Sequence, residues 1–162
     1  MRIELLDSQH DRSNFDCGNH ALNDFLQRHA GQQHRRGIGK TYVALEVLGA
    51  VQGFVTVSAG NVATAALPGS LKLPRYPVPI LRIGRLAVDL RNRGTGIGHE
   101  LLSFALHLAM EVSEKIGLYA VVVDAKDDKA AEFYRRHGFS ASLDDQYCLF
   151  IPLVWLTKAN HP

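Results

Sequence analysis

Arg91-Asn92-Arg93-Gly94-Thr95-Gly96-Ile97-Gly98 is the stretch whose reading decides the fold. It follows an apolar run at 81–88 that reads as a central strand. It leads into 96–116, where Ile97, Leu101, Leu102, Ala105, Leu108, Ala109, Val112 and Ile116 recur on one helical face, with Gly117 as the stop. The first amides of such a helix lack partners within it and carry the positive end of its dipole. An anion placed there meets several N–H donors at once. Glycines at 94, 96 and 98 leave room for a bulky diphosphate, and Arg91 and Arg93 add formal charge. A plain glycine turn between strand and helix would not require that combination.

The phosphate-binding motifs separate on spacing. A P-loop needs Lys and then Ser or Thr after the glycines, and His99 stands there instead. A dinucleotide fold uses G-x-G-x-x-G, whereas this run is G-x-G-x-G. Asp124 could serve a ribose at the end of the next strand, 118–123, but a hairpin precedes the unit and no second βαβ half follows.

Outward from the motif, the chain reads as one compact domain over 1–162. Residues 2–6 form a first strand. A helix follows over 20–36, with Asn19 as N-cap, Leu22, Phe25, Leu26 and Ala30 facing the core, and Gly37 and Gly39 ending it. Strands at 41–48 and 51–62 read as an antiparallel hairpin. Pro68, Pro74, Pro77 and Pro79 make 64–80 a long surface loop. A short helix over 129–137 starts at Asp127 or Asp128 and ends at Gly138, with Phe139 supplying an apolar contact. A last strand spans 147–156, where Pro152 suggests an edge or bulge and Trp155 covers one sheet edge. The sum is an α/β (α+β) chain with a mixed, mainly antiparallel sheet flanked by helices.

Bulk composition narrows the class. Of 162 residues, 46% are apolar and 21% charged, which suits a soluble globule rather than a disordered chain. A net charge of +2 is too small to announce a nucleic-acid binder, so any basic face has to be local. The N-terminus has no apolar signal core, and no run is long enough to cross a bilayer, which predicts a cytoplasmic protein with no membrane partner. Cys17 and Cys148 follow no metal spacing and read as packed, free thiols. His10, His20, His99, His107 and His161 form no ligand pattern, so no metal is expected.

Arg91-x-x-Gly94-x-Gly96, with the order of elements around it, resembles the signature of the GNAT acetyltransferases over nearly the whole chain. The resemblance implies a GNAT fold with acetyl-CoA as cosubstrate. The 94–98 amides would hold the diphosphate, with Thr95 and Ile97 in that loop. Leu86, Ala87 and Val88 would pair with the pantetheine arm, Phe133 would line the cofactor site, and Tyr134 would stand beside the sulfur as general acid. A phenol of pKa about 10 is suited to protonating a leaving thiolate.

Three segments resemble the GNAT toxins of bacterial toxin–antitoxin pairs: Phe15-Asp16-Cys17-Gly18 with Leu22-Asn23-Asp24-Phe25-Leu26, then Gly84-Arg85-Leu86-Ala87-Val88-Asp89, then Ala130 to Phe139. This implies acetylation of the α-amine of an aminoacyl-tRNA, a cognate antitoxin of the ribbon-helix-helix repressor type, and a homodimer. Two features of the residues agree. The strand 81–88 has Arg82 and Arg85 but no carboxylate base, which favours an α-amine of pKa about 8 over a lysine of about 10.4. Arg28, Arg35, Arg36 and Lys40, with His29 and His34 beside them, cluster near the end of the first helix, and Arg75, Arg82 and Arg85 could extend a groove for phosphates. A solvated helix end explains the cluster equally on its own. The competing functions are a housekeeping acetyltransferase of a protein N-terminus or small amine, and a non-catalytic nucleotide-binding module.

Overall fold

A computed structural model of the chain describes residues 1–159. Its elements are β1 (Arg2–Leu5), α1 (His20–Asp24), α2 (Ala30–Arg36), β2 (Lys40–Leu45), β3 (Val51–Val62), β4 (Val78–Val88), α3 (Ile97–Ser113), β5 (Ala120–Asp124), α4 (Asp128–Arg136), β6 (Ser140–Ala141), β7 (Cys148–Pro152) and α5 (Leu153–Ala159). The strands form a mixed, open sheet of order β1-β2-β3-β4-β5-β7-β6. β4 is the fourth of seven, as its apolar sequence predicts. Contacts divide the chain into two units, 1–58 with 84–105, and 59–83 with the described residues from 106 on.

In the first unit β2 pairs antiparallel with both β1 and β3, which is the expected hairpin. β2 is shorter than the sequence suggests. Gly49 takes a left-handed φ of 92° and closes the turn by donating its N–H to the Glu46 carbonyl, which leaves Val47 and Leu48 91% and 92% exposed. The register slips between Ala44 and Leu45, so β3 bulges at Gln52. The 20–36 helix is also not uniform. Asn19 caps it by accepting from the Leu22 amide, and Gly37 ends it at φ 73°, but Phe25–His29 forms a π turn. Arg12 Nη1 donates to the Leu26 carbonyl there (3.2 Å), and a side chain entering the helical ladder is a recognised cause of such a widening. Phe25, Leu26 and Ala30 are all buried, as their spacing predicts. They pack with Val43, Phe15 and Phe54, whose ring lies 5.6 Å from that of Phe15 and 6.1 Å from that of Phe25. Each such large apolar side chain contributes about 1.5–3 kcal/mol by burial.

In the second unit β4 runs parallel to β5, from the pair Ile80–Ala120 onward, and β7 returns antiparallel to β5. β4 therefore starts at Val78, earlier than the proline-rich reading of 64–80 allows. Pro79 precedes the first pair of the ladder with β5, and its carbonyl accepts the Tyr119 amide (2.8 Å). The rest of that loop is ordered by short 3-10 turns at Thr64–Ala66 and Gly69–Leu71 and by Leu67, which enters a core with Val78, Ile80, Val122 and Phe150. α3 stops at Ser113, whose hydroxyl turns back on the Met110 carbonyl (2.7 Å); Ile116 is 61% exposed and is not part of the apolar face. The final strand ends at Pro152, and 153–156 are helical. β7 is not an edge strand, but β6 pairs only with Leu149 and Phe150, so the ladder on that side has already ended at Pro152. Trp155 stands on α5 with its ring 6.0 Å from that of Phe150, so it covers an interior strand rather than a sheet edge.

α4 is assembled as its sequence specifies. Asp127 Oδ1 accepts from the Ala130 amide (2.8 Å) at one end. At the other, Gly138 is left-handed at φ 95°, its amide bonds the Arg135 carbonyl, and the Phe139 amide bonds that of Tyr134. That is the six-to-one and five-to-two pairing of a Schellman end.

Candidate active site

The candidate diphosphate corner lies at the end of β4, in the first unit. Leu86, Ala87 and Val88 close the strand, with Ala87 buried and the other two half-buried. Opposite Ala87 stands Gly53, where a Cβ would lie 2.9 Å from Leu101 Cδ1, 3.0 Å from the Ala87 carbonyl and 3.1 Å from Ile97 Cγ2. Only glycine permits β3, β4 and the first turn of α3 to approach this closely. Sequence reading passes over Gly53, because nothing in a strand's pattern tells which glycine meets a neighbour.

Beyond the strand, Leu90–Asn92 forms a 3-10 turn, and Gly94 and Gly96 take φ of 77° and 90°. A Cβ at either would meet nothing within 4 Å. These glycines serve backbone conformation, and the space over the corner is open. The first helical bond of α3 runs from the Glu100 amide to the Gly96 carbonyl (3.0 Å), so the amides of Ile97 and Gly98 ahead of it carry no such bond. An open corner of exposed Gly94, Thr95 and Gly96, leading into helix-start amides, fits a diphosphate.

The two arginines of the motif do something the sequence does not announce. Arg91 donates Nε to Asp89 Oδ1 and Nη2 to Asp89 Oδ2, both at 2.9 Å, and Nη2 also reaches the Asn14 carbonyl at 3.1 Å. Arg93 Nη2 donates to the Cys17 carbonyl (2.9 Å). Asp89 is 1% exposed, and the Arg91 guanidinium and the backbone amides around it outweigh burial and hold its carboxyl down at about 2. Cys17 is itself buried and unbridged, and Cys148 is also a free thiol, half-buried.

The candidate acid belongs to the second unit. Tyr134 is 6% exposed on α4, with its ring against Phe133 (5.2 Å) and Phe139 (5.6 Å). Its hydroxyl has no hydrogen-bond partner among the described residues. No enclosed side-chain oxygen or nitrogen is left unpaired there, so this oxygen reaches solvent. Burial first, and then the Asp124 carboxylate, push the phenol well above its ordinary value of 10. At neutral pH it is a protonated donor.

The expected RNA-contact residues divide the same way. In the first unit Arg35 and Arg36 are exposed and form no ion pair among the described residues. Arg28 pairs loosely with Asp24 (3.3 Å), and Lys40 donates to the His34 carbonyl (3.0 Å). Burial and the Lys40 and Arg35 charges depress His34 below its ordinary pKa, so it adds no charge at neutral pH. Arg85 is half-buried with its guanidinium 3.7 Å over the Phe25 ring. In the second unit Arg75 is exposed, and Arg82 is bound to Asp124 (2.7 Å). Among the described residues no group of three His, Cys, Asp or Glu could hold a metal, and no helix is long and apolar enough to cross a membrane. His161 lies outside the described residues.

A model of the acetyltransferase (GNAT) domain matches residues 37–141. The chain belongs to the GNAT acetyltransferase family. It is 34% identical over 143 residues, 87% of the chain and 85% of the relative, to a tRNA-acetylating toxin of Mycobacterium tuberculosis (strain ATCC 25618 / H37Rv). Two solved structures cover it almost completely. AtaT complexed with acetyl-methionyl-tRNAfMet shares 32% identity at a TM-score of 0.92, over 98% of each chain. An AtaT mutant toxin bound to the C-terminus of the antitoxin AtaR and acetyl-CoA shares 29% identity at 0.86, over 99% of this chain and 98% of that one. The fold of this GNAT chain matches theirs, and Asp89, like Gly53, is a residue whose contacts sequence reading does not reveal. The available signal was local: Asp89-x-Arg91 is an Asx turn, with Asp89 Oδ1 accepting the Arg91 amide at 2.9 Å.

Proposed function

We propose that this acetyltransferase moves the acetyl group of acetyl-CoA to the α-amine of an aminoacyl-tRNA and so halts translation, as the toxin of a toxin–antitoxin pair. The observation that carries this reading is the 34% identity to a tRNA-acetylating toxin over 87% of the chain, with AtaT on its tRNA superimposing over 98%. Such coverage also supports one domain over 1–162.

Acetyl-CoA, when bound, supplies an activated acyl carbonyl on a thiol leaving group. The chain's part is to hold and to donate. The amides of the 94–98 corner hold the diphosphate, and Leu86, Ala87 and Val88 offer backbone groups to the pantetheine arm, with Phe133 lining the site. Tyr134 keeps its proton until a thiolate develops and then gives it up. No base comes from β4, which has no Asp or Glu between Val78 and Val88. Asp89 is no base either, since its carboxyl is held at about 2 and its oxygens are filled. An amine that is partly neutral near pH 8 suits such a site, and an α-amine meets that condition where a lysine does not.

Arg28, Arg35, Arg36 and Lys40, with Arg75, Arg82 and Arg85, are proposed to contact the tRNA. Among the described residues Arg35, Arg36 and Arg75 are exposed and in no ion pair. The partner is an antitoxin, of ribbon-helix-helix type, and the assembly a homodimer in the cytoplasm. The test is incubation of the protein with radiolabelled acetyl-CoA and total charged tRNA. Label is expected on the α-amine of the aminoacyl end, with Tyr134→Phe slower by about 100-fold or more. Transfer to a small amine or a protein N-terminus with none to tRNA refutes this reading.

A further inference from the structure

We infer that Asp89 is a positioning residue for the diphosphate corner, and that it acts by holding Arg91 as a strut instead of a phosphate ligand. The inference rests on the diphosphate reading of the 94–98 corner and adds to it a role for residues outside that corner.

Asp89 stands where β4 ends and the glycine loop begins. Four donors fill its two oxygens: the Arg91 amide and Nε on Oδ1, and Arg91 Nη2 and the Asp16 amide on Oδ2. Its own amide donates to the Gln52 carbonyl at 2.8 Å, at the bulge of β3. The same two segments meet in three further bonds: Leu90 amide to Asp16 carbonyl (2.9 Å), Arg91 Nη2 to Asn14 carbonyl, and Arg93 Nη2 to Cys17 carbonyl. Gly18 completes the seat, since a Cβ there would lie 3.3 Å from Leu90 Cδ2. The 14–18 turn is thereby a bracket under the start of the loop.

The loop needs one. A Cβ at Gly94 or Gly96 would meet nothing within 4 Å, and glycine loses more conformational freedom on ordering than any other residue. Amides that grip a diphosphate must be in place before it arrives, or binding bears that ordering cost. Asp89 fixes the loop at its first residue and, through Arg91, at its third. A guanidinium held by both carboxylate oxygens and a carbonyl has little reason to leave for a phosphate, because it would strand a 1% exposed carboxylate.

The experiment measures binding of CoA and acetyl-CoA by calorimetry, and turnover with acetyl-CoA against S-acetylpantetheine, which lacks the diphosphate. For Asp89→Asn the dissociation constant for CoA should rise by about tenfold or more, the range of losing hydrogen bonds to a charged group. The kcat/KM for S-acetylpantetheine should stay within about twofold of wild type, which a general loss of structure would not allow. Arg91→Lys, which keeps the charge but not the two-point bond, should weaken CoA similarly, and the double variant should be no worse than the weaker single. The singles also stand in for one another if either folds poorly. If Arg91 instead binds the diphosphate directly, Asp89→Asn frees it, and CoA binding is retained or tightened; that result overturns the inference. Equal losses on both thioesters overturn it too. Wild-type protein that binds no CoA refutes the diphosphate reading itself, whatever the variants do.

Discussion

Replacing Gly53 by Ala tests whether close backbone approach builds the corner. The new Cβ would sit 2.9 Å from Leu101 Cδ1, 3.0 Å from the Ala87 carbonyl and 3.1 Å from Ile97 Cγ2. The two side-chain ends can yield by a few tenths of an ångström. The carbonyl cannot, because Ala87 is main chain near the end of β4 and is 5% exposed. Overpacking of this kind costs about 1–3 kcal/mol. Against it, an alanine in a strand gains about 0.5–1 kcal/mol over glycine. The net is a loss of about 0–2.5 kcal/mol with its midpoint near 1, or a melting temperature lower by about 2–4 °C at that midpoint for a chain of this size. The displaced atoms belong to Ala87, on the strand proposed to hold the pantetheine arm, and to Ile97 and Leu101 at the start of α3, so CoA binding should weaken along with stability. Thermal unfolding with calorimetric titration of CoA reads both. Gly69→Ala is the control, because a Cβ there meets nothing within 4 Å. If Gly53→Ala melts within about 1 °C of wild type and binds CoA equally, the close-approach argument fails.

Three further outcomes follow from the charges and burial. Arg35→Ala with Arg36→Ala should make tRNA affinity less steeply dependent on salt, by roughly 1.4 in the log–log slope for two phosphate contacts, with CoA affinity unchanged; an unchanged slope removes both from the interface. Asp89, with its folded carboxyl at about 2 against an ordinary 3.8, stabilises the fold above pH 3.8 and loses that contribution as pH falls through about 2. The loss amounts to about 2 kcal/mol, and Asp89→Asn should lack this part of the acid limb in pH-dependent unfolding. Tyr134 is raised, so its contribution is complete below pH 10 and lost above it; Tyr134→Phe should unfold less readily than wild type at strongly alkaline pH, and parallel alkaline curves would contradict its burial.

Where a feature rests on residues close in the chain, sequence reading recovers it. The span from Asp127 to Phe139 is such a case: the cap, the left-handed glycine and the two terminal amide bonds all lie within one short helix and its ends. The Gly94 and Gly96 corner is another. Boundaries were less legible. Val47, Leu48 and Val154 to Leu156 have strand-like side chains, yet a left-handed Gly49 ends β2 early and α5 takes over after Pro152. Pro79 looks like a strand breaker yet sits inside β4, one residue before the ladder with β5 begins. The basic residues were legible as a list but not as a charge distribution. Arg82 is bound to Asp124, Arg85 lies on Phe25, and Arg91 is tied to Asp89.

By itself the sequence determined the order of elements from β1 to α4, the glycine corner and the family, since each depends on spacing or on the conformations that particular residues permit. Tertiary structure alone decided what Asp89, Arg91 and Gly53 do. The Asp16 amide reaches Asp89 across 73 residues, and Gly53 meets Ala87 only because a third strand is laid beside it. A hydrogen bond or a close contact of that kind depends on a separation in space, and no local pattern in the chain encodes it.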